Sequence, residues 1–454
     1  MKDYCQDLTQ GNVTKQLIKF ALPFILSNFI QALYSITDML IMGWVQGSAG
    51  ISAVGMGAQV ALIVTNGIIG LTVGGTVLIA QYMGAKRRED VSETVSTVIT
   101  FSLFAGLCVT AVMLLLNGPL LRLINAPEES FAMAKSYTDV CMGGAVFIFL
   151  YNGISAVMRG MGDSKRPVYF VAIAAVINAI LCALFVAVFD MGAAGSALAT
   201  VIAQMLSVVI ACVYLGRNGF VFDFKLKSFR LFSDKLRGMI RIGLPNAVQQ
   251  MLVSVSFLLL LGVINVFGIH ASAAANVASK ISAFAIMPTL AISSAIASMA
   301  GQNIGAGLYE RAYDTMKHGV RMAVIIAIAV TLLAELFPAQ LISIFTSDPE
   351  DIRVGVEYFR FYCMDWLFVA FLINMNGLVI GAGHTLFTML NSLLSSVLLR
   401  VPLAYLFGIA MGKGISGIGL ANGISPILPL CIAFWYIRTN RWKSEKGKRI
   451  IIVE

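Results

Sequence analysis

Apolar runs long enough to cross a bilayer recur along the whole of this 454-residue chain. A membrane's hydrocarbon core takes about 20 residues of helix to traverse. Runs of that order fall near 17–44, 52–82, 91–117, 132–157, 167–188, 193–216, 239–267, 273–304, 318–336, 354–380, 386–409 and 415–437. Lipid cannot hydrogen-bond a bare peptide group, so such runs cross only as helices, whose backbone bonds close within the segment. The fold class that follows is an all-α integral membrane protein with twelve transmembrane helices. Composition agrees, since charged residues make up only 12% of the chain, roughly half the share of a soluble domain. Residues 1–16 are polar and the first apolar run outlasts the core of a secretory signal, so no cleaved signal is expected.

The chain repeats itself. Leu22-Pro23 returns as Leu244-Pro245, and Leu78 to Lys86 returns as Met299 to Gly307. Arg159 to Ser164 returns as Ile380 to Thr385, and Met191 to Ala199 as Lys413 to Ala421. The order is kept at an offset of 221 to 222 residues, which predicts two pseudo-symmetric six-helix bundles in tandem. An even number of spans per half makes the repeats parallel, and a duplicated membrane bundle usually encloses a substrate path. The expected organisation is an N-terminal lobe over 1–216, a cytoplasmic amphipathic linker over 217–238, a C-terminal lobe over 239–437 and a basic cytoplasmic tail over 438–454. In the linker, Phe220, Phe222, Phe224, Phe229 and Phe232 alternate with basic residues, a pattern suited to a membrane surface.

A net charge of +9 suggests nucleic acid until its placement is considered. Of the 32 Lys and Arg residues, 25 fall on one side of this topology, 5 on the other and 2 within spans. That asymmetry puts both termini in the cytoplasm and excludes a nucleic-acid partner in favour of the lipid bilayer. The seven cysteines are scattered without metal or disulfide spacing, so free thiols and no metal are expected.

Asp38 is the sharpest functional signal. It lies inside the run Ile36-Thr37-Asp38-Met39-Leu40-Ile41-Met42. A carboxylate there is costly, and an intramembrane acid marks an ion or substrate path by default. Burial disfavours the charged form of any acid, which suits a group that exchanges a proton. Gln31 and Tyr34, at i−7 and i−4, extend a polar stripe along the same helix face. The position 221 or 222 residues on from Asp38 is Leu259 or Leu260, so ion chemistry is expected in the first half only. Asn178, whose counterpart is Arg400, is either interhelical glue or part of the site, and Asn152 and Thr200 share that ambiguity. In the second half Lys280 and Asn276 lie within a span, and Gln249, Gln250, Asn374 and Asn376 are further cavity candidates. Arg400 with Pro402 reads as structural. Glu335, Asp139 and Asp365 fall near predicted span ends, where solvation is the expectation.

No Walker A segment, H-E-x-x-H or G-x-S-x-G is present, which excludes ATP-driven transport and the commonest hydrolases. The chain reads as a transporter, not an enzyme, and needs no cofactor. A gradient must drive it.

Thr37-Asp38, Ala80 to Ala85, Met158 to Ser164, Gly301 to Gly307 with Glu310-Arg311, and Arg400-Val401-Pro402-Leu403 together resemble the multidrug and toxic compound extrusion (MATE) family. The resemblance covers nearly the whole chain. It implies a V-shaped pair of six-helix lobes exporting cationic or amphipathic small molecules in exchange for H⁺ or Na⁺ by alternating access. It further implies a functional monomer in a bacterial inner membrane. In the DinF-type branch, the coupling residues match Asp38, Asn178 and Thr200, with Gln31 and Asn152 beside them and Pro23 as the bending proline. An Asp usually found four residues after the Asn is replaced here by Cys182, which favours H⁺ over Na⁺, since hard cations want oxygen ligands. The acids of the NorM-type branch correspond to Val253 and Val369, so a second-lobe Na⁺ site is not expected. The alternative is a lipid-linked oligosaccharide or polysaccharide flippase of the same superfamily. It would want a more cationic cavity than Lys280 and Arg400 supply.

Overall fold

The computed structural model describes residues 6–123 and 128–443. The helix Lys165–Val188 shows the rule that organises them. Tyr169, Ile173, Val176 and Ile180 are exposed along one face, while Val171, Ala174, Asn178 and Cys182 are buried on the other. Both faces are apolar apart from Asn178. A helix that is hydrophobic all round is stable only where lipid replaces water on its outer side.

Eleven helices among the described residues are long and apolar enough to cross a membrane. They are α1 (Val13–Gln46), α2 (Gly57–Gly84), α3 (Arg88–Pro119), α5 (Lys165–Val188), α6 (Gly192–Arg217), α7 (Ser233–Phe267), α8 (Ile269–Gly305), α9 (Tyr309–Leu336), α10 (Pro349–Gly381), α11 (Thr385–Ala410) and α12 (Gly414–Arg438). The twelfth span, α4, is a bent pair, Phe131–Gly143 and Ala145–Gly160, meeting at 49°. The expected twelve-helix fold is therefore present.

The chain forms two compact units, but they do not follow chain order. Unit 1 is Met1–Asp7 with Leu22–Gly243, and unit 2 is Leu8–Ala21 with Leu244–Glu454. Each half of the chain thus lends the opening turns of its first helix to the other unit. The hand-over falls directly before Pro23 in α1 and directly before Pro245 in α7. A proline inside a helix removes one backbone bond and crowds the preceding turn, so each continuous helix changes unit where it bends most easily. Within unit 1 the borrowed turn of α7 fits because glycines allow backbone contact. A Cβ on Gly74 would lie 2.1 Å from the Met239 carbonyl oxygen, and one on Gly243 would lie 2.3 Å from that of Leu71. In unit 2 the borrowed turn is held by polar bonds. The Leu8 amide donates to Gln302 Oε1 at 3.0 Å, and Arg311 donates to the carbonyls of Gln10 and Gly11 at 2.9 and 2.8 Å.

The duplication is legible in backbone detail. A π-helical turn at Leu184–Val188 recurs at Leu406–Ala410. The loop behind each has two left-handed residues, Asp190 and Gly192 in one half, Gly412 and Gly414 in the other. One π turn has no counterpart: Leu394–Leu399, directly before Arg400. The repeat offset is 221 at Ser164 and Thr385 but 222 from Met191 and Lys413 onward, so the second half carries one extra residue between them. A π turn is how a helix absorbs such an insertion.

The linker is tied down rather than laid out as one apolar stripe. Phe220 and Phe222 are buried, and the Phe222 ring meets Phe224 and Phe229 edge-on at 5.0 and 5.2 Å. Ser96 on α3 donates to the Ser228 carbonyl at 2.7 Å, and the Phe232 amide donates to Thr97 Oγ1 at 3.2 Å. Within the linker, the Ser228 hydroxyl, followed by the Lys225 amide, holds the Asp223 carboxyl below its usual range. Of the expected basic tail, Arg438 closes α12 and Trp442 is buried in a short turn, while 444–454 lie outside the described residues.

Candidate functional site

Asp38 is buried in unit 1, 4% exposed, where α1, α5 and α6 meet. Small residues on α6, among them Ala193, Ala197 and Ala199, pack there with Met42, Cys141 and Cys182. Their size lets the helices approach closely enough for short polar side chains to touch. Thr200 Oγ1 donates to Asp38 Oδ2 at 3.4 Å and accepts from Asn178 Nδ2 at 3.2 Å. That hydroxyl has one proton, and the Ser196 carbonyl at 3.1 Å competes for it. The carboxyl group is therefore held loosely. Asp38 Oδ1, Asn178 Oδ1, the Tyr34 hydroxyl and Ser196 Oγ are buried without a hydrogen-bond partner. Among the described residues no basic side chain forms an ion pair with Asp38. A buried acid with vacant acceptor sites and no fixed counter-charge can take up a proton or a small cation.

The other expected residues divide. Asn178 and Thr200 join Asp38, and Tyr34 is partly buried one turn away on α1, but Gln31 is exposed. Asn152 is spent on its own helix, donating to the Ile148 carbonyl at 2.8 Å. In unit 2, Asn276 and Asn374 likewise donate to carbonyls one turn back, those of Ser272 and Ala370, at 2.9 and 2.8 Å. A donor satisfied by its own helix needs no neighbour, although Asn374 Oδ1 is buried and unpartnered. Asn376 is buried with its Oδ1 unpartnered, as is Gln249 Oε1, while Gln250 is partly buried. Lys280 is exposed, with its ammonium 6.0 Å from the Phe345 ring centre. The second-half candidates form no cluster with one another.

Asp365 corrects an expectation. It is not solvated at a helix end but buried, 4% exposed, facing Arg400, itself 5% exposed, at 3.7 Å. Helix α10 begins at Pro349, so Asp365 lies well inside it. The helix starts before the expected 354, and a break at Cys363 puts Asp365 in the first turn of the segment Met364–Gly381. Arg400, expected to be structural, also stacks its guanidinium 5.5 Å from the Phe257 ring centre on α7. Two opposite intramembrane charges were visible in the sequence, and their pairing was not.

Among the described residues one group, His270 with Asp348 and Asp351, is spaced to hold a metal. Its atoms are already engaged: His270 Nδ1 bonds Asp351 at 2.8 Å, Thr346 donates to Asp351, and Asp348 caps the following helix. This is a loop anchor.

The MatE family profile matches the chain twice, over residues 23–184 and 245–406, so both of its limits shift by 222 residues. Among related sequences, the "Probable multidrug resistance protein YpnP" of Bacillus subtilis is 31% identical over 98% of this chain and 99% of its own. The "Probable multidrug resistance protein NorM" of Thermotoga maritima is 26% identical over 98% and 96%. A solved structure of a multidrug resistance MATE family transporter in an outward-facing conformation superposes with a TM-score of 0.90 over 96% of this chain and 98% of its own, at 23% identity. That likeness shows a shared fold. With a family match on each half and a relative similar from end to end, this chain belongs to the MatE family of multi-pass membrane transporters.

Proposed function

We propose that the protein is a secondary-active exporter of cationic or amphipathic small molecules, coupled at Asp38 to an inward ion gradient through alternating access. The observation that carries this reading is a buried carboxyl group with no basic partner among the described residues, in the company of Thr200, Asn178 and Cys182. Such a group changes charge as it meets one membrane face and then the other, and that change biases which conformation is stable. The names borne by the relatives from Bacillus subtilis and Thermotoga maritima support drug-like cargo. The cluster Asp38, Asn178 and Thr200 supports the DinF-type branch. Topology by basic residues supports a bacterial plasma membrane with cytoplasmic termini, and the protein acts as a monomer.

Protons are the favoured coupling ion. Cys182 stands buried beside the site where a second oxygen ligand would suit a hard cation. Na⁺ is the second reading, favoured by the vacant oxygens of Asp38, Asn178, Ser196 and Tyr34. Proteoliposomes given a pH gradient or a Na⁺ gradient separately, and assayed with a panel of organic cations, distinguish the two. The expected result is uptake driven by the pH gradient alone. Flux indifferent to both gradients would end the proposal.

A further inference from the structure

The duplication allows the Asp38 site to be compared, position by position, with its twin in unit 2. Asp38 corresponds to Leu260, Asn178 to Arg400 and Thr200 to Asn422. The twin has lost its acid on the first helix of the half and gained a cation where unit 1 has a neutral amide. The charge balancing that cation comes from a new place. Asp365 corresponds to Gly144, which in unit 1 has no room for a side chain, since a Cβ there would lie 2.4 Å from Val201. Val201 in turn corresponds to Gly423, whose own Cβ position lies 3.9 Å from the Asp365 amide nitrogen. Glycine and side chain have thus changed places across one helix contact, where Gly423 lets its helix approach the Phe361 carbonyl, 2.7 Å from its Cβ position. The unmatched π turn at Leu394–Leu399 sits directly before Arg400 and resets its direction on the helix. Asn422, fully buried, has neither amide atom hydrogen-bonded.

We propose that Arg400 is a tethered cation: its guanidinium, paired with Asp365, permanently fills in unit 2 the role that unit 1 leaves to an exchangeable ion. The inference rests on the reading of Asp38 as the ion site. It assigns Arg400 and Asp365 a part in stoichiometry, because a guanidinium 3.7 Å from the Asp365 carboxyl competes with a proton or Na⁺ for that position even though no hydrogen bond joins the two. One unit exchanges and the other is closed. Phe257 is stacked on Arg400, whose Nε also donates to Ser425 Oγ at 3.4 Å. The ionisable groups around the pair are Tyr358 and Tyr362, with Cys363 and Glu335 bonded to each other at 3.2 Å nearby.

The test counts bound cations on purified full-length protein, by proton uptake on acidification and by binding of radioactive Na⁺. Asp38→Asn is expected to remove the Na⁺ binding, or the proton uptake, that distinguishes wild type from a protein titrating only its exposed carboxylates and histidines. Adding Arg400→Asn, which restores the residue type found at 178, is expected to create a new uptake that Asp365→Asn then abolishes. Arg400→Gln, closer in volume to arginine, serves if the shorter side chain does not fold. Uptake surviving in Asp38→Asn and lost with Asp365→Asn overturns the inference, because Asp365 would then exchange with Arg400 in place. A folded Asp38→Asn/Arg400→Asn protein that gains nothing also overturns it while leaving Asp38 untouched. Should Asp38→Asn leave uptake unchanged throughout, the reading of Asp38 fails first and the tethered cation with it.

Discussion

Unit 1 and unit 2 descend from one bundle and solve the problem of buried polarity in opposite ways. Unit 1 keeps a lone carboxyl group loosely bonded through Thr200 to Asn178 and leaves several oxygens vacant. Unit 2 buries two opposite charges 3.7 Å apart, Asp365 and Arg400, with the Phe257 ring beside the guanidinium. The first arrangement leaves its acid without a counter-charge; the second sets a guanidinium 3.7 Å from its acid. An internal repeat does not oblige both halves to work. Once one bundle performs the ion step, the other is free to become a fixed counterpart, and a neutralised pair is a stable way to stop a polar site from titrating.

The comparison can be broken most decisively at Asp38. Replacement by Asn should abolish gradient-driven efflux in vesicles while the protein remains folded, whereas Leu260→Asn in unit 2 should leave transport near wild type. Equal losses in both would remove the asymmetry. Next in size is Asp365→Leu, which strands the Arg400 guanidinium in an apolar setting. Breaking a buried pair from one side costs about 3–5 kcal/mol, so a large fall in melting temperature is expected. Asp365→Leu with Arg400→Met should recover most of it, and no recovery would mean the pair does more than neutralise.

Smaller is the exchange of packing at the Gly144 contact. Gly144→Ala should destabilise by about 1–3 kcal/mol through overpacking against Val201. Val201→Gly, which copies unit 2, should relieve that cost in thermal unfolding. The smallest effect sharpens rather than breaks the contrast. Asn178→Ala deletes one buried hydrogen bond, worth about 1 kcal/mol. Half-maximal coupling-ion concentration should then shift up to about tenfold, with maximal flux retained.

How the site could be read in advance differs from one residue to the next. Asp38 was legible because a carboxyl group inside an apolar run has few innocent explanations. Thr200 and Asn178 were nameable only as polar residues in spans, since nothing in a linear pattern says which neighbour a short side chain will meet. Asp365 was expected to be solvated near a span end, and its burial against Arg400 depends on a contact with another helix that a linear pattern does not record. Asn152, Asn276 and Asn374 turned inward to their own helices, a local satisfaction that composition cannot signal.

The sequence by itself determined that this chain crosses a membrane as twelve helices in two related halves, because lipid leaves the backbone no other closed bonding pattern. It also determined that only the first half keeps an acid on its opening helix, since a repeat can be checked residue against residue. Tertiary structure alone decided which part of each opening helix belongs to which unit, how one extra residue was absorbed before Arg400, and that Arg400 faces Asp365. Those outcomes depend on how helices rotate and pack against one another. A change as small as glycine for valine alters how closely two helices approach, and periodicity along a single helix does not record it.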